Sequence, residues 1–98
     1  MRVCRLFFDK NTGELLLRII STTVLCSLTE ELLHFCNENN IEKENVVGYE
    51  LIESDKKFIE YSSATKLFLN QEGNIECIWE ERLLNDNTNE EKDEISPA

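Results

Sequence analysis

The chain predicts a small α+β domain: a mostly antiparallel sheet of two hairpins plus a strand, with one helix packed on a face. Three observations carry that prediction. Two polar turns, each with glycine as its next-to-last residue, separate pairs of apolar β-prone runs. One stretch near residue 30 repeats apolar residues at helical spacing behind a capping signature. The 98 residues, 41% of them apolar, suffice for a single thin core.

Arg2 to Phe8 is rich in Val, Cys, Leu and Phe, which favour a strand. Asp9-Lys10-Asn11-Thr12-Gly13-Glu14 follows. Asp bonds back to turn amides and Gly supplies the left-handed residue that returns the chain to a second strand over Leu15 to Ile20. Ser27-Leu28-Thr29-Glu30 fits a capping box, and Leu28, Leu32, Leu33 and Cys36 share one side of a helix over about residues 28 to 38. Glu30 and Glu31 suit the positive end of its dipole, and Asn37, Asn39 and Asn40 end it.

Glu42 to Asn45 is a polar connection to a strand over Val46 to Glu53, where Val47, Tyr49 and Leu51 face opposite to Gly48, Glu50 and Ile52. Ser54 to Lys57 reads as a turn. Phe58 to Ala64 fits either a short helix or an irregular strand. Thr65 to Leu69 and Ile75 to Glu80 form a second hairpin around Asn70-Gln71-Glu72-Gly73-Asn74, with Gly73 at the position needing positive φ. Ile75, Cys77 and Trp79 share one side of its return arm and Glu76 and Glu80 the other. Ile78 breaks that pattern and suggests cover on both sides. The domain is expected over 1–84. Asn85 to Ala98 holds one Ile, one Ala and one Pro among polar residues and reads as a disordered acidic tail.

Net charge is −10, and it is uneven. The first thirty residues sum to +1, the next thirty to −5 and the rest to −6. Such a surface repels phosphate backbones and anionic lipid, so direct nucleic-acid or membrane binding is not expected. No apolar run reaches the ~20 residues of a membrane-spanning helix, and no signal peptide is discernible. Cys4, Cys26, Cys36 and Cys77 are scattered without a Cys-x-x-Cys pair, which reads as reduced, mostly buried thiols in a cytoplasmic protein.

Searches for chemistry return little. His34, the single histidine, stands two residues from Cys36, and on a helix such positions diverge by roughly 200°. No zinc set is expected. Neither Cys26 nor Cys36 sits in a Gly-rich or basic setting that would activate a thiolate, and a Gly-x-Ser-x-Gly motif is absent. Neither an enzyme nor a cofactor is expected. The feature that remains is Trp79 among Glu76, Glu80, Glu81 and Arg82. An aromatic within a charged rim suits a protein-binding site formed by Glu76, Trp79, Glu80 and Glu81. Its phase with Ile75 and Cys77 favours the other reading, in which Trp79 is simply the largest core residue.

The opening Arg2-Val3-Cys4-Arg5 strand with its Asp9 to Glu14 turn, the Val47-Gly48-Tyr49-Glu50-Leu51 run, and the rhythm from Phe58 through Asn70-Gln71-Glu72-Gly73 resemble small proteins encoded among the tail genes of phages and prophages of Gram-positive bacteria. The resemblance covers about half the chain and rests on hairpin turns that unrelated proteins share. It implies viral origin, in the cytoplasm of a bacterium or phage-infected host, and brings no activity or site residue. The expected function is a non-enzymatic protein-binding module, an accessory protein of a phage or mobile element. The alternative is an inhibitor whose acidic surface mimics nucleic acid before a basic host protein.

Overall fold

Five consecutive residues of the first strand, Cys4 to Phe8, are buried, so that strand has to be covered on both sides. The computed structural model, which describes residues 1–79, shows how. Strand β1 (Val3–Asp9) lies between β2 (Leu15–Ser21) and β3 (Val46–Ile52) in an antiparallel sheet of order β2-β1-β3. Helix α1 (Leu28–Asn39) packs on one face, against Phe7, Leu17 and Val46. The other face, with Cys4, Leu6 and Phe8, is closed by a short helix α2 (Phe58–Ser63) and the hairpin of β4 (Lys66–Leu69) and β5 (Ile75–Ile78). Burying Phe7, Phe8 and Phe58 contributes about 1.5–3 kcal/mol each.

The α+β class, the antiparallel pairing and the helix on one face are as the sequence predicts. The strands divide between two sheets, however, with β4–β5 forming its own. The reason lies in β1. With apolar side chains on both sides, a single sheet carrying one helix would leave Cys4, Leu6 and Phe8 in water. The second hairpin therefore pairs with a strand of the first sheet at a single bridge, Glu14 to Phe68, and packs over the open face. Phe58 to Ala64 resolves as helix, with Phe58 buried as its anchor.

The turn chemistry is the expected one. Asp9 Oδ1 accepts from the amides of Asn11 and Thr12 at 2.7 and 3.0 Å, and Gly13 has φ 80°. Those amides hold the Asp9 carboxyl below the usual carboxylate range. Asn70 Oδ1 does the same for Glu72 and Asn74, and Gly73 has φ 84°. The Ser27–Glu30 capping box is complete and Asn40, at φ 57°, ends α1 in the left-handed conformation. On β3, Tyr49 and Leu51 face the core behind β4–β5. Gly48 lies beneath Leu32 and Phe7, and Glu50 reaches Arg5. On α1, Phe35 rather than Leu33 fills the interface, its ring 5.5 Å from Phe7, while Leu33 turns outward. A bulge explains the doubled leucines of β2. Phe7 pairs with Leu17 and Phe8 with Leu15, so Leu16 is the inserted residue.

All four thiols are free, Cys4 and Cys36 buried and Cys26 and Cys77 half-buried. Burial pushes the Cys4, Cys36 and Cys77 thiols above their ordinary range, so little thiolate is present at neutral pH. Alkylation of the native protein followed by peptide mass mapping should therefore modify Cys26 and Cys77 before Cys4 and Cys36, and denaturant should make all four react quickly. Rapid native labelling of Cys4 would contradict the two-sided cover of β1.

Candidate partner-binding site

Two arginines that interrupt apolar strands organise the framework. Arg5, 6% exposed, lies under the start of α1. Its guanidinium bonds Glu31 of α1 at 2.7 Å, Glu50 of β3 at 2.8 Å and the Cys26 carbonyl at 2.9 Å. Burial alone would lower its pKa, but the hydrogen bonds and charges of Glu31 and Glu50 outweigh that and raise it. Arg18 leaves the opposite face of the sheet and donates to the carbonyls of Tyr61 and Ala64, at 3.2 and 2.9 Å, closing the C-terminal end of α2. These contacts hold α2, and with it the second hairpin, over the sheet.

On that hairpin the alternation of β5 is clear. Ile75 and Cys77 pack into the core, while Glu76 and Ile78 face outward. The strand ends at Ile78, and Trp79 follows it half-exposed, at 50%. Trp79 is thus not a core residue, and the outer side of β5 is open where Ile78 suggested cover. Phase along a strand predicts burial only as far as the strand runs. Of the four expected site residues, Glu76 stands on the outer side of β5 beside the turn and Trp79 just past the strand's other end, so the structure does not bring these two together. Glu80 and Glu81 fall outside the described residues. So do the expected domain limit at residue 84 and the acidic tail over 85–98. The Glu76 carboxylate accepts from Asn70 Nδ2 at 2.9 Å, which fixes it beside the turn.

Sequence reasoning missed the groove beside this end. It has a volume of about 310 Å³ where β4 diverges from β2, lined by Leu15, Leu67, Phe68 and Ile78 with Glu14 and Lys66 among its rim residues. The signal was Ile78 itself, an apolar residue on the polar side of its strand. His34 stands exposed on α1, 3.1 Å from Glu38 one turn on, and away from Cys36, which is buried. Among the described residues no three His, Cys, Asp or Glu side chains converge as a metal site would require, and no helix is long and apolar enough to cross a membrane. No family model, curated protein or solved structure matches the chain.

Proposed function

We propose that this protein is a non-enzymatic protein-binding module whose contact surface is the end of β5, with Trp79 as anchor and Ile78 beside it. The observation that carries the reading is the exposure of Trp79. Tryptophan is highly buried on average, and this one is left half in water, while aromatic anchors dominate the energetics of protein interfaces. In the sequence Glu80 and Glu81 follow it directly and Glu76 precedes it on β5, so the fitting partner presents an apolar cleft with basic residues at its edge. Arg or Lys side chains there would also meet the indole face. In the setting the resemblance implies, that partner is a phage or host protein met in the bacterial cytoplasm.

Trp79 is the only tryptophan, so its fluorescence reports on the site directly. The free protein should emit as a partly hydrated indole and be quenched readily by acrylamide. Partner binding should shift emission to the blue and protect it. Trp79→Ala should weaken binding about 30-fold or more, the loss typical of a central anchor, with stability changed by no more than about 0.5 kcal/mol. A loss of several kcal/mol would make Trp79 structural and end this reading. Binding that ignores Trp79→Ala but collapses with salt, or on reversal of Glu76, Glu80 and Glu81 to Lys, would transfer the assignment to an acidic surface that imitates nucleic acid.

A further inference from the structure

Residues 15–29 contain one arginine and no carboxylate, in a chain with 20 Asp and Glu among 98 residues. That acid-free run is β2, the loop leading to α1 and the first two residues of α1, and β2 is an edge strand. Beyond the Glu14–Phe68 bridge, no strand among the described residues pairs with its outer side. Edge strands are ordinarily guarded by lysine, proline or a bulge along their length. Here the bulge lies at the first residues, no lysine or proline follows, and the single charge, Arg18, is engaged by the α2 carbonyls. Apolar side chains accompany the open edge. Ile20 and Val24 are exposed, and Leu25 is 91% exposed. Beside them lies a largely apolar groove of about 240 Å³ lined by Val3, Ile19, Val24 and Leu25, with the Arg5–Glu31 ion pair on its wall.

We propose that β2 is a self-association edge, pairing antiparallel with β2 of a second copy to make one continuous six-stranded sheet. Charge selects this occupant. At net −10, two copies repel each other through their acidic surfaces, and along residues 15–29 they can approach with no carboxylate in the edge itself, the nearby Glu31 being paired with Arg5. A basic partner would be drawn to the acidic regions instead. The geometry suits a two-fold axis, since a strand placed against its own copy about such an axis runs antiparallel to it. Each copy also carries both elements of the contact, the Val24–Leu25 projection and the groove next to it.

Sedimentation of the full chain tests the proposal. The protein should pass from monomer to dimer with rising concentration, and added salt should favour the dimer by screening the net repulsion. Amides of Leu16 to Ser21 should exchange more slowly as concentration rises. Leu25→Glu combined with Ile20→Lys, both at exposed positions, should raise the dimer dissociation constant about 30-fold or more while circular dichroism shows an intact fold. A wild type monomeric up to submillimolar concentration would overturn the proposal. So would a dimer that survives the folded double variant, or one that dissociates as salt rises. Should the double variant not fold, the wild-type exchange decides: protection of Leu16 to Ser21 that does not change on dilution rules the interface out.

Discussion

Replacing Arg5 by Met should destabilise the protein by about 3 kcal/mol, measured as a drop in the urea midpoint with unchanged slope. Methionine keeps much of the volume and removes the charge and the donors. Two carboxylates, Glu31 and Glu50, then face a buried position with no cation between them, and the Cys26 and Ser27 carbonyls lose their partner. Breaking a fully buried pair costs about 3–5 kcal/mol. The lower end applies because the Glu31 and Glu50 side chains, 26% and 35% exposed, can recover some water. Against the typical native stability of about 5–15 kcal/mol, that is a large share. Arg5→Lys restores the charge without the planar fork, so it should recover only part of the loss. Glu31→Gln, which leaves Arg5 held by Glu50, should cost about 1 kcal/mol. A deficit below about 1 kcal/mol for Arg5→Met would mean that the network contributes specificity and little stability, as some buried ion pairs do.

The Arg5 network also marks the limit of what the residues disclose before folding. Signals confined to a few neighbours could be read directly. The Asp9 and Gly13 turn, the Ser27–Glu30 box and the alternation along β3 each depend on spacing within one element, and each takes the form its spacing predicts. Contacts between distant elements could not be read. Arg5 bonds residues 26 and 45 positions away, and nothing in the local pattern distinguishes it from a surface arginine. Arg18 left a trace, as a charge interrupting an apolar run, but its acceptors are backbone carbonyls that any sequence could supply. Trp79 shows the opposite failure. Period-two reasoning extends a face indefinitely, whereas β5 stops at Ile78 and the next side chain is released to solvent. The candidate site was therefore legible as a cluster of residue types, while its apolar groove needed β2 and β4 brought side by side.

The two turn glycines, alike in sequence context and in φ, should differ sharply when replaced. At Gly73 a Cβ would meet nothing within 4 Å, so Gly73→Ala costs only the left-handed strain, about 1 kcal/mol. At Gly13 the same Cβ would fall 2.2 Å from the Leu69 carbonyl oxygen, a backbone atom that cannot rotate aside. The Leu69 amide donates to the Gly13 carbonyl at 2.8 Å, and the Glu14–Phe68 bridge adjoins it. This is the seam where the second hairpin meets the first sheet. Relieving the clash requires the hairpin to shift, which loosens its cover over Cys4, Leu6 and Phe8. Gly13→Ala should therefore cost about 3 kcal/mol or more, adding strain, a lost hydrogen bond and disturbed packing. Asparagine separates these contributions, because it tolerates left-handed φ yet still carries a Cβ. Gly73→Asn should be close to neutral, whereas Gly13→Asn should remain nearly as damaging as Gly13→Ala. Cysteine labelling provides a second readout, since a displaced hairpin exposes Cys77 and Cys4 to alkylation well below the unfolding midpoint. Equal losses at the two glycines, with Cys4 still protected, would show that the seam yields freely and that the hairpin is not held where Leu69 meets Gly13.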